Sequence, residues 1–171
     1  LAPTIPVCLQ ISHAGRKASS AEPWNGGGLL GAEQGGWTPC APSAVPQKTD
    51  EPPPLALDVA GLNRIKEAFV QTARRAQEMG LEALELHGAH GYLLHQFMSP
   101  LSNQRADAYG GNFAARVKFP LEVFAAVRAV FKGTLGIRLS ATDWVEGGWT
   151  PEETADLGLH LKQAEIGRAH V

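Results

Sequence analysis

Cysteine is scarce, net charge is small and long apolar runs are missing, and each absence removes a class of protein. Two cysteines, Cys8 and Cys40, occur in 171 residues, too few for the disulfide framework of a small secreted domain. Cys8 lies in an apolar run and reads as a buried strand residue, Cys40 lies in a Pro-rich loop, and no disulfide between them is expected. A reducing cytoplasm is therefore the expected compartment. Fifteen Lys plus Arg against seventeen Asp plus Glu leave a formal net charge of -2, which gives no basic footprint for nucleic acid or an anionic membrane. No apolar stretch approaches the roughly 18 residues of a spanning helix, so no membrane partner is expected either. The start of the chain lacks the charged residues and cleavage site of a signal peptide. The triple glycine Gly26–Gly28 is followed by neither a Lys-Ser/Thr pair nor a helix start, so it reads as a surface loop and not as a phosphate-binding P-loop.

What is present alternates. With 44% hydrophobic and 19% charged residues the composition is that of a globular domain. Val7–Ile11 suits a buried strand, and a long irregular stretch follows to about Leu57, a length that in a compact domain points to function or disorder. Asp58 is a candidate N-cap and Gly80 a stop for a helix whose Leu62, Ile65, Phe69, Ala73 and Ala76 share one face. Leu81–His87 reads as a strand, Tyr92–Met98 as a helical turn and Ser99–Asn112 as a polar loop. A second helix is expected over Phe113–Phe131, with a kink or a later start at Pro120. Thr134–Ser140 is a third strand, and Thr150, Pro151, Glu152 and Glu153 open a third helix. This order predicts parallel β/α units. It fits about three consecutive units of a TIM (β/α)8 barrel, with a doubly wound sheet as the alternative, although the usual glycine fingerprint after its first strand is missing. The last six residues, Ile166–Val171, coincide with the translation of a common sequencing adapter. Residues 1–165 are accordingly read as part of one barrel domain, and 166–171 as a suspected sequencing-adapter artefact; a helix end with Gly167 at C′ is the alternative.

Side chains alternate along strands, which sorts the polar residues. Cys8, Gln10 and Ser12 share a face, as do Glu85 and His87, and Arg138 and Ser140. Polar groups thus gather near the C-terminal strand ends, where TIM barrels build their sites. An amide, an imidazole and a guanidinium at one mouth suit an anionic or carbonyl-rich ligand; the plainer reading is that they satisfy one another. In His87-Gly-Ala-His90 the two imidazoles can converge on one oxygen and polarise a carbonyl or nitro group. Tyr92, two residues on, can supply a proton or simply pack. A metal pair completed by His95 or Glu85 is the competing reading, without the helical His-Glu-x-x-His spacing of zinc enzymes.

Three segments, His87-Gly-Ala-His-Gly-Tyr-Leu-Leu-His95, Ser99-Pro-Leu-Ser-Asn-Gln-Arg105 and Asp107-Ala-Tyr-Gly-Gly-Asn112, resemble the signature of the Old Yellow Enzyme family. Gln10-Ile-Ser-His-Ala-Gly-Arg-Lys17 is similar to that family's third-strand motif, and Gly136-Ile-Arg-Leu-Ser140 to its fifth-strand motif. The resemblance implies a partial TIM barrel, the cofactor FMN, NADPH or NADH as reductant, and reduction of an activated C=C bond in an α,β-unsaturated carbonyl or nitro compound. It implies that Gln10 and Arg138 bind the flavin, that His87 and His90 bind the substrate oxygen, and that Tyr92 donates the proton. Arg105, Asp107 and Tyr109 would organise the loop over the site. Family members also suggest a homodimer or homotetramer. The competing expectations are a His-His metal-dependent hydrolase on a similar barrel, and a fragment without catalytic activity of its own.

Overall fold

The computed structural model describes residues 5–164, with 168–170 described as backbone only. Of the suspected artefact, Ile166, Gly167 and Val171 lie outside the described residues. The elements are β1 (Cys8–Ile11), β2 (Cys40–Ala41), β3 (Leu55–Ala56), α1 (Val59–Glu78), β4 (Ala83–Gly88), α2 (Leu93–Met98), α3 (Phe113–Val130), β5 (Thr134–Leu139), α4 (Pro151–Gln163) and β6 (Arg168–His170). The main sheet runs β1-β4-β5-β6, parallel throughout, and β2 and β3 form a separate parallel ribbon.

The helices form where caps and apolar spacing coincide. Asp58 accepts from Gly61 N at 2.7 Å to start α1. At the other end Gly80, at φ +73°, lets Gly80 N reach Gln77 O and Leu81 N reach Ala76 O, a Schellman ending that a residue with a Cβ would resist. Thr150 and Glu153 form a reciprocal capping box at α4, with Pro151 in its first turn. As expected, α3 begins at Phe113, where Asn112 accepts from Ala115 N; it carries Pro120 inside, so the later start is not the outcome.

One face of the sheet is covered and the other is open. Leu84, Leu86, Leu135 and Ile137 are buried with Leu62, Ile65 and Phe69 of α1, Val117, Phe124 and Val127 of α3 and Leu157 and Leu161 of α4. Each such side chain contributes about 1.5–3 kcal/mol on leaving water. On the opposite face Cys8, Gln10, Thr134 and Arg138 are exposed. Among the described residues the helices cover one face only, the arrangement of a barrel segment, whereas a doubly wound sheet carries helices on both faces. The one-sided cover also corrects the expectation for Cys8, which is exposed because it points to the uncovered face of an edge strand. Among Val7, Leu9 and Ile11, only Ile11 is buried.

Candidate active site

The strand register brings the predicted polar residues into adjacent rows. Gln10 lies beside Glu85, and His87 beside Arg138. Gln10 Nε2 donates to Glu85 Oε2 at 2.6 Å, so Gln10 and Glu85 already form a polar pair on the open face. Arg138 is exposed on the same face.

His87, His90 and Tyr92 meet as expected from their spacing. The His87 ring centroid is 5.0 Å from that of His90 and 5.0 Å from that of Tyr92, the latter edge-on at 89°. His87 is 5% exposed and its Nδ1 is buried with no hydrogen-bond partner among the described residues, a cost that native sites seldom accept without a ligand. Burial lowers its pKa below the ordinary histidine value, and the neighbouring His90 and Arg138 push in the same direction. The ring is therefore neutral at pH 7, with one N–H to donate and one lone pair. His90 is exposed and sits at φ +58°, a left-handed conformation that costs a non-glycine residue about 1–2 kcal/mol.

The loops after the strands are tied to one another by buried polar side chains of α2. Gln96 Nε2 donates to Gly91 O at 2.6 Å and to Ala14 O at 3.2 Å, while its Oε1 accepts from Arg16 N at 3.2 Å. Gly15 turns at φ +62° directly over this amide, where a Cβ would fall 2.3 Å from Gln96 Oε1. His95 Nδ1 accepts from Gly91 N at 2.8 Å. Its Nε2 stands 3.0 Å from Asp143 Oδ1, off the line of an ideal hydrogen bond. Asp143 Oδ2 accepts from Ser99 Oγ at 2.6 Å and from Trp149 N at 2.8 Å. Burial alone would raise the Asp143 pKa, but the close His95 Nε2 and the hydrogen bonds from Ser99 Oγ and Trp149 N outweigh it and hold it at about 2.

The polar loop is held from below. Arg105 grips Asp107 with two bonds of 2.9 and 2.6 Å, and its Nη1 donates to Pro42 O and Leu57 O at 2.7 and 2.5 Å. Arg116, 6% exposed, donates to Met98 O and Gly111 O at 2.7 Å each and pairs with Glu153. Gln96, Asp143 and Arg116 were not singled out by the sequence. A signal existed for the first: His95-Gln96 is a polar pair inside Leu93-Leu94-His-Gln-Phe97-Met98, where every other side chain is apolar and all six are buried.

The residues present fit a flavin's polar edge, for Gln10 and Arg138 place an amide and a guanidinium on the open face beside the unpartnered His87 nitrogen. A metal pair fits less well. Both ring nitrogens of His95 face other partners, Glu85 accepts from Gln10, and the described residues contain no group of three His, Cys, Asp or Glu able to hold an ion.

A one-sided parallel β/α sheet with its polar groups at the C-terminal strand ends defines a segment of a TIM-barrel enzyme. Residues 5–168 match the model of the NADH:flavin oxidoreductase / NADH oxidase family. The chain belongs to this family of FMN-dependent oxidoreductases, the one its motifs resemble. It is 42% identical over 185 residues to an NADH:flavin oxidoreductase of Gibberella zeae, covering 95% of this chain and 45% of that protein. To an NADPH dehydrogenase of Geobacillus thermodenitrificans it is 39% identical over 158 residues, with 92% and 42% covered. The solved structure of morphinone reductase superposes with a TM-score of 0.77 at 31% identity, over 99% of this chain and 48% of that one. The chain thus spans just under half the length of these relatives. Helices long and apolar enough to cross a membrane are absent among the described residues.

Proposed function

We propose that this chain is part of an NAD(P)H-dependent FMN oxidoreductase that reduces the activated C=C bond of α,β-unsaturated carbonyl or nitro compounds, residues 1–165 belonging to its single barrel domain. The observation that carries the reading is the buried, unpartnered Nδ1 of a neutral His87 packed against His90 and Tyr92. Two imidazole N–H groups bound to one substrate oxygen draw electron density out of the adjoining double bond and stabilise the charge that gathers on that oxygen. Tyr92 delivers a proton to the carbon next to the activating group. Gln10 and Arg138 hold the polar edge of FMN, with the guanidinium offsetting negative charge on the ring. FMN held there would supply the hydride chemistry, with NADH or NADPH as the reductant. The resemblance supports a homodimeric or homotetrameric assembly, and the scarcity of cysteine supports a reducing cytoplasm as its compartment.

The test is to express the full-length gene and record the absorption spectrum of the purified protein. A flavin spectrum that NADPH bleaches and cyclohexenone restores is expected. A folded, colourless protein that takes up no added FMN would overturn the reading.

A further inference from the structure

The turn that carries His90 and Tyr92 has its backbone held largely by side chains of other segments. His90 N donates to Ser140 Oγ at 3.0 Å, and His90 O accepts from Lys17 Nζ at 2.7 Å. Gly91 N donates to His95 Nδ1 and Gly91 O accepts from Gln96 Nε2. Tyr92 N reaches Ala89 O at 3.1 Å, and Tyr92 O accepts from Gln96 N at 2.8 Å. Every backbone donor and acceptor from His90 to Tyr92 therefore has a partner, across a span where His90 and Gly91 take successive left-handed conformations at φ +58° and +68°.

We propose that His95 and Gln96 are positioning residues that fix the His90–Gly91–Tyr92 turn against the loops after β1 and β5, and so set the aim of the oxygen-binding and proton-donating groups. Both act on the one peptide unit pair that separates His90 from Tyr92. The partners leave no ambiguity in their chemistry. A backbone N–H can only donate, so Gly91 N requires a bare Nδ1 on His95, and the proton must be on Nε2, facing Asp143. Likewise Gln96 meets two carbonyls with its nitrogen and one N–H with its oxygen, which fixes the amide orientation. Gln96 is 0% exposed, so an apolar replacement takes the donor from the half-buried Ala14 O and Gly91 O. A left-handed His90 with a loosened neighbour relaxes toward an ordinary conformation, and its ring leaves the position opposite His87.

The inference rests on the functional reading above, and its experiment separates the two. In the full-length flavin-loaded protein, Gln96→Met and His95→Leu are expected to lower the rate of cyclohexenone reduction about 100-fold, the scale of a misplacement near 1 Å. Flavin content and reoxidation by dioxygen, which needs no anchored carbonyl, should stay within about twofold of wild type. His95→Asn places a carboxamide oxygen where Nδ1 was and should recover most of the loss. Enone rates within about threefold of wild type in both variants, or parallel loss of enone and dioxygen reactions, would overturn the positioning role. The 15N spectrum of labelled histidine decides independently of flavin: His95 protonated on Nε2 with Nδ1 bare is expected, and the opposite tautomer refutes the brace. A wild-type protein without flavin refutes the functional reading alone.

Discussion

Replacing Tyr92 by Phe removes one hydroxyl and leaves the ring that meets His87 edge-on at 5.0 Å. The half-buried ring stays in place, so stability should change by less than about 0.5 kcal/mol. All of the effect should then fall on chemistry. A positioned general acid contributes about 10²–10⁴-fold, or about 3–5 kcal/mol of barrel-site transition-state stabilisation. Rapid-mixing absorbance separates the two half-reactions of the full-length protein. Bleaching of the flavin by NADPH transfers no proton from Tyr92 and should keep its wild-type rate, whereas restoration of the flavin by cyclohexenone should slow about 10²–10⁴-fold. An unchanged rate of restoration would remove Tyr92 as the proton source. Equal slowing of both half-reactions would make it a packing residue under the flavin.

Two further predictions concern stability. Arg116→Met in the full-length protein deprives Met98 O and Gly111 O of their donor and removes the cation beside Glu153, which keeps its bond from Thr150 N, at a cost of about 2–3 kcal/mol in urea unfolding. Adding Glu153→Gln should then cost little more, with about 1–3 kcal/mol of coupling, and strictly additive effects would refute the ion pair's role. Asp143, depressed to about 2 from 3.8, binds fewer protons folded than unfolded, so its contribution is complete above pH 3.8 and is lost as pH falls toward 2. Its full size is about 2 kcal/mol. Asp143→Asn should flatten the acid-unfolding curve between those pH values, and an unchanged acid limb would show that the depression is not there.

Much of the architecture was legible because period and capping agree. Leu62, Ile65 and Phe69 mark the buried face of α1, Asp58 and Thr150 cap their helices, and alternating Leu84, Glu85, Leu86, His87 assigns the two faces of β4. The convergence of His87, His90 and Tyr92 was legible for the same local reason, since all three lie within one strand end and turn. What escaped was set by tertiary contacts. Cys8 sits in an apolar run, but exposure depends on what covers a strand, and no described residue covers Cys8. The β2–β3 ribbon joins pairs of residues too short to show any period. Asp143 reads as one more loop acid, and only its contacts with His95 of α2, Ser99 and Trp149 N give it a role.

The long excursion between β1 and α1 is closed in nested stages. Ala21 N reaches Gly28 O, Leu30 N reaches Ser19 O, and Trp37 N reaches Ser19 Oγ. Leu55 N and Leu57 N then meet Pro39 O and Ala41 O, and Arg105 fastens Pro42 and Leu57 from the neighbouring loop. Each closure confines the entropy of what lies beyond it, and enlarging an already closed loop costs little, about 0.6 kcal/mol per doubling. Insertions between Ser19 and Trp37 can therefore accumulate without disturbing the register of β1 or the start of α1. The molecule carries a region where sequence change is cheap beside strand ends where it is not, and new shapes over the site can be tried there at almost no risk to the fold.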